Sequence, residues 1–274
     1  ELDALAVGVD EVIIDIVRHR KSTSGVGDPE AIIMDVGREL LTTRRLGAET
    51  YAHALQVLGK TNLVDLIDLI GRYTATGATL TAVNQQMPMG WRQSLPLPFT
   101  YPEDIYPDSR SRLPLRSGPY QTSVSALYGR MASPGGIGPG QIRAYGEGTQ
   151  TLEARIGKRL EMLAVLVTAR AHNSQYDWTM HEPLALEAGL EREVIDIVRY
   201  RRSIDDLADN DATLVAFARE LFGDHNVQAD TYARAKRAFG ETTLVDIVAL
   251  MGAHAADAVM FAGFDQQLLS LIHI

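Results

Sequence analysis

The chain carries the same stretch of sequence twice, at a fixed interval of 181 residues. Residues 1–88 align with residues 182–269 without a gap, and about a third of the positions are identical. IIDIVRHR at 13–20 returns as VIDIVRYR at 194–201. TNLVDLIDLIG at 61–71 returns as TTLVDIVALMG at 242–252, and NQQM at 84–87 as DQQL at 265–268. So long an interval rules out a solenoid and points to duplication of one domain. The second copy is preceded by an apolar-periodic segment, roughly 151–181, that has no counterpart before Glu1. The first copy is therefore expected to be truncated at its N-terminus. The resulting layout is a partial first repeat at 1–88, a linker at 89–120, a complete second repeat at 121–269 and a tail at 270–274.

Both copies read as helical. Asp28-Pro29-Glu30 combines a cap, an N1 proline and a first-turn acid, and the apolar stripe of IIMDVGRELL follows. A short helix at 48–58 should stop at Gly59, and Thr61 should cap a long helix after it. The second copy repeats these marks at Asn210, Gly240 and Thr242. No segment alternates convincingly as a strand, so the fold class is all-α. Six of the eleven prolines fall between 96 and 119, which makes that stretch an extended linker. A short helix at 123–131 and a turn at SPGGIGPG (133–140) are expected after it; the turn has no phosphate-loop pattern. The apolar tail LLSLIHI exceeds what the repeat accounts for and is assigned no function.

A net charge of −9 argues against nucleic acid as a partner, because phosphate neutralisation needs basic patches. RHRK at 18–21 and RYRR at 199–202 fall at helix ends, where cations offset the helix dipole. No apolar run approaches the length of a bilayer span, so no membrane partner is expected. The chain has no cysteine. Disulfides, thiolate catalysis and cysteine-ligated metal are thereby excluded, and a cytoplasmic location is expected.

The segment with chemical potential is 155–181. ARIGKRLEMLAVLVTAR at 155–171 reads as one buried helix, about 25 Å long at 1.5 Å per residue. A second helix follows with Ser174 as N-cap, and Ser174, Asp177, Trp178 and His181 share one of its faces. A carboxylate one turn before a histidine can orient the ring and favour its protonated form. Trp178 and Tyr176 could wall an apolar pocket. Pro183 should bend or end the helix just after His181. The plainer reading is that Ser174 and Asp177 merely cap the helix. His172 sits at a helix end. His254 and His53 occupy slots held by Tyr73 and Arg234 in the other copy, so neither is preserved by the duplication. Gln266-Gln267, repeated at Gln85-Gln86, could bond a substrate or cap a helix end. No H-x₃-H or HExxH spacing occurs, so no metal site and no cofactor are expected.

Ser174-Gln-Tyr-Asp177-Trp-Thr-Met-His181, followed by EPLALEAGL, resembles the carboxymuconolactone decarboxylase and alkylhydroperoxidase D family. The resemblance covers 120–268 directly and 1–88 through the repeat. It implies an all-helical fold, often trimeric or hexameric, and a C-x-x-C-x-x-x-H motif or a cysteine-less version of it. Here Ser174 and Asp177 stand at the two cysteine positions, which rules out thiol peroxidase chemistry. The family glutamate, twelve residues before the motif, falls on Met162. Glu161 lies one residue early, which turns it by about 100° on a helix.

What remains is acid–base chemistry. The resemblance implies a decarboxylase-like enzyme acting on a small carboxylated lactone or related cyclic carbonyl compound. His181 would be the proton donor, with Asp177 or Glu182 orienting it and Glu161 as a further catalytic candidate. Ser174, Tyr176, Trp178 and Glu182 would contact the substrate. The expected partners are a small-molecule substrate and further copies of the chain, a trimer of pseudo-dimers. The alternative is a non-catalytic helical module that binds ligand or mediates assembly.

Overall fold

A computed structural model describes residues 2–84 and 151–266, and among them there is no β-strand. The helices are α1 (Leu2–Ala6), α2 (Glu11–Arg18), α3 (Asp28–Thr42) and α4 (Ala48–Ala82). After the interval come α5 (Leu152–Ile156), α6 (Lys158–Ala171), α7 (Gln175–Glu187), α8 (Arg192–Arg199), α9 (Asp209–Arg219), α10 (Ala229–Phe239) and α11 (Glu241–Gly263). A π-helical turn, Glu220–Asp224, extends α9. The linker, the helix at 123–131, the turn at 133–140, Gln85-Gln86, Gln267 and the tail lie outside the described residues.

The backbone carries the 181-residue period in detail. Glu11 and Arg192 open equivalent helices, as do Asp28 and Asp209, and Ala48 and Ala229. Left-handed φ values recur at Arg20 and Arg201, Arg44 and His225, and Asn84 and Asp265. Gly59 and Gly240 have φ of 75° and 77° with ψ near-extended, a region open essentially only to glycine. Each sits at the junction where a short helix gives way to a long one, so the break falls on the glycine itself rather than on Thr61 or Thr242. A matched glutamate ties down each following segment. Glu39 accepts from the Gly47 amide at 2.7 Å and from the Thr50 hydroxyl. Glu220 accepts from the Gln228 amide at 2.8 Å and the Thr231 hydroxyl at 2.6 Å.

Four helix limits depart from the sequence-based expectation. The buried helix does not run unbroken from 155, because Gly157 (φ 79°) separates α5 from α6. The cap of α3 is Gly27 rather than Asp28, and that of α9 is Ala208 rather than Asn210. Pro183 does not end α7, which continues to Glu187. The proline removes one amide donor on an exposed face. Termination comes instead at Gly189 (φ 86°), where Leu190 N–H closes back on the Ala185 carbonyl at 2.9 Å.

The described helices form two compact units: residues 2–71 with 259–266, and residues 72–84 with 151–258. These bounds differ from the repeat limits because α4 and α11 each contribute to both units. In the first unit Ile32, Val36 and Leu40 of α3 pack with Leu63 and Ile67 of α4 and Val259 of α11. In the second unit α6 is central. Met162 to Ala169 are buried without interruption, the pattern of a helix enclosed on all sides. It packs against α5, α7, α8 and α9. The contrast with α2 is informative. Val198 of α8 is 3% exposed, but its counterpart Val17 is 57% exposed. The first unit has no equivalent of α6 among its described residues.

The reading that no apolar run approaches the length of a bilayer span does not hold for one helix. α11 is long and apolar enough to cross a bilayer, with a mean hydropathy of 1.6 over an 18-residue window. In the structure 61% of that window is buried against protein, as befits a core helix.

Leu163 is fully buried at the centre of the second unit. Leu163→Ala is expected to cost about 2–5 kcal/mol of stability through lost apolar burial and the residual cavity. Urea denaturation followed by circular dichroism measures the loss.

Candidate active site: a buried carboxylate between two histidines

The second unit places an ionisable cluster on the face of α7 that turns inward. His172 closes α6, Asn173 adopts a left-handed φ of 52°, and Ser174 caps α7. The Ser174 hydroxyl accepts from the Asp177 amide at 3.3 Å. The capping role foreseen for Ser174 is therefore real. Asp177, however, does more than sit in the first turn.

Its carboxylate is 4% exposed and lies between two imidazoles. His181 Nδ1 is 2.9 Å from Oδ1, and His254 Nδ1 is 3.1 Å from Oδ2. His181 Nδ1 is also 2.8 Å from the Asp177 carbonyl oxygen. Every neighbour of the two Nδ1 atoms named here is an oxygen acceptor, so the hydrogen bonds assign a proton to Nδ1 on both rings. The Nε2 atoms then remain for other partners. The rings meet edge to face, with centroids 5.1 Å apart and an interplanar angle of 89°.

The electrostatics follow from this arrangement. Burial pushes the Asp177 carboxyl upward, but the hydrogen bonds from His181 and His254 outweigh it and bring the pKa down to about 2. The hydrogen bond to Asp177 raises His181 above 6.5, against burial and the Lys158 charge. Asp257, three residues beyond His254 on α11, is half-buried. Burial raises its pKa; the Asp177 charge reinforces the rise and the two histidines oppose it.

The remaining candidates separate into two groups. Trp178 Nε1 donates to Glu182 Oε2 at 2.7 Å, and Glu182 Oε1 pairs with Arg199. Arg199 lies 5.4 Å from the centroid of the Trp178 ring. Both Glu182 oxygens are thus engaged away from His181, and Asp177 alone of the two acids orients that ring. Tyr176 is half-buried on the same helix. Glu161, in the first turn of α6, pairs with Lys158 at 2.8 Å, and Met162 is buried in the core. The structure does not bring Glu161 into hydrogen-bond contact with either Asp177 or His181.

His254 is the residue that sequence reasoning set aside. Comparing the copies discounted it because Tyr73 fills its slot, yet Tyr73 is 68% exposed and His254 is 5% exposed. The signal that could have found it is local. A histidine and an aspartate three residues apart interrupt the otherwise apolar run IVALMGAHAADAVMF. The motif search for a metal site also missed that Asp177-x-x-x-His181 has the same i,i+4 spacing as two chelating histidines. With His254 the three groups bring one ligand atom each to within 4.8 Å of one another.

No family model matches this sequence, and comparison with curated proteins and with solved structures likewise finds no match.

The pKa directions set a pH window. Asp177 is depressed, so its contribution to stability is present above its unfolded value near 3.8 and is lost as pH falls toward 2. His181 is raised, so its contribution is present below 6.5 and is lost as pH climbs through its folded value. Asp177→Asn is expected to destabilise by about 3 kcal/mol where both are charged, between roughly pH 4 and 6.5. The difference from wild type should shrink at either edge, as read by chemical denaturation at stepped pH.

Proposed function

We propose that this chain is an acid–base enzyme that decarboxylates a small carboxylated lactone or a related cyclic carbonyl compound. The observation that carries the reading is the buried Asp177 carboxylate held between the Nδ1 atoms of His181 and His254. Such a carboxylate keeps the His181 ring in one orientation and stabilises its imidazolium form, leaving Nε2–H as a proton donor. The family resemblance of Ser174 to Leu190 supports the choice of reaction class, and the absence of cysteine removes the thiol alternative.

In the proposed reaction the bond between the substrate carboxylate and the ring carbon breaks and CO₂ leaves. The electron pair passes into the conjugated carbonyl system as an enolate. His181 Nε2–H then protonates carbon, and the ring recovers a proton from solvent before the next cycle. Asp177 stays ionised throughout. His254 holds the second carboxylate oxygen, so that Asp177 cannot turn away from His181. Following the family pattern, the active form is a homo-oligomer, a trimer of two-repeat chains.

Decarboxylation of 4-carboxymuconolactone, followed by ultraviolet absorbance in chelator-treated buffer, tests the reading. Wild type is expected to turn over, and His181→Ala to lose about 10²–10⁴ in rate with its helicity intact. Near-wild-type activity in His181→Ala would reject the site. No turnover by a folded wild type would favour the binding-module alternative.

A further inference from the structure

We infer that Asp177, His181 and His254 form a binding site for a divalent first-row transition ion of the Zn²⁺ class. Asp177 and His181 are one helical turn apart on α7, so one helix face supplies two ligand atoms. His254 supplies the third from α11, 77 residues away in sequence. All three ligand atoms lie within 4.8 Å of one another. The nearest pairs, His181 Nδ1 to Oδ1 and His254 Nδ1 to Oδ2, are 2.9 and 3.1 Å apart. Ligand atoms around a tetrahedral ion with bonds of ~2.0–2.1 Å are spaced by roughly 3.3 Å. The three groups are thus close enough for one ion to bridge the carboxylate and the two rings once the side chains adjust.

The donor chemistry selects the class of ion. Two imidazoles and one carboxylate suit zinc, cobalt, nickel or copper, whereas magnesium and calcium prefer all-oxygen sets. Asp177 and His254 are 4% and 5% exposed, and the His181 side chain is 24% exposed. Two ligands are thus shielded from bulk water, and the third is at the accessible side. Three protein ligands leave one coordination position for water or a ligand, the arrangement of catalytic rather than structural zinc sites. On binding, each neutral imidazole carries its proton on Nε2 and gives the Nδ1 lone pair to the ion.

This site does not rest on the decarboxylase reading, because binding is measured without turnover. The two uses exclude one another at any moment, since the ion takes the positions of the Nδ1 protons. Loading with Zn²⁺ is expected to suppress any acid–base activity of His181.

The test uses the full chain without a histidine tag, freed of metal by chelation. Zn²⁺ is titrated by calorimetry and Co²⁺ by visible absorption. The expected result is one ion per chain, with Co²⁺ bands typical of a four-coordinate site. His254→Gln and Asp177→Asn should each lose more than the ~10–100-fold that loss of an outer partner alone costs. His172→Gln, which alters a buried histidine outside the group, should bind as wild type does. Circular dichroism confirms folding of each variant, and His181→Gln replaces Asp177→Asn if the latter unfolds. Absence of saturable one-ion binding in wild type, or undiminished affinity in His254→Gln, overturns the inference.

Discussion

Burying the Asp177 carboxylate is the constraint around which the second unit is organised. Removing a carboxylate from water costs several kcal/mol unless it is paired and hydrogen-bonded. The chain meets that cost from three directions. Asp177 lies in the first turn of α7, where the helix dipole favours negative charge, and its amide is tied to the Ser174 cap. His181, one turn on, engages one oxygen, and His254 reaches the other from α11. The α6–α7 turn and the position of α11 therefore have to be right together. A shift of one residue in either helix would turn a ligand away by about 100°.

The same constraint explains why the two copies are not equivalent. α4 carries Tyr73 and Thr76 where α11 carries His254 and Asp257. The first copy thus lacks the far half of the cluster in its own sequence. Tyr73 is exposed where His254 is buried, which fits a position with no carboxylate to meet. The repeated features are those that shape backbone: the junction glycines, the left-handed positions, and the Glu39 and Glu220 carboxylates that bind the following turn. Among the described residues, the Asp177–His181–His254 cluster belongs to the second copy alone.

Much of that frame was legible in the sequence. The fixed interval, the apolar periodicity and the glycine marks predict an all-helical chain with helix limits close to those observed. The pairing of Asp177 with His181 also follows from spacing, because residues four apart on a helix face each other. Two kinds of information were not legible. The first is competition between local signals, as at Gly157 and Pro183. Glycine at φ 79° broke a helix whose apolar pattern ran through it, while proline on an exposed face was tolerated. The second is long-range contact. Nothing in the spacing of residues links His254 to Asp177 across 77 positions, and comparison of the copies pointed away from it. Glu161 and Glu182 show the converse, since proximity along the chain did not bring either carboxylate to His181.

The most direct test of the central claim is the nitrogen chemistry of the two rings, read by ¹⁵N-resolved NMR of the metal-free protein across a pH series. The account predicts that both His181 and His254, when neutral, carry the proton on Nδ1, with both Nδ1–H signals perturbed in Asp177→Asn. His181 should titrate above 6.5 in wild type and fall back toward that value in the variant. Nε2–H tautomers on both rings, or histidine signals indifferent to loss of the Asp177 charge, would contradict it.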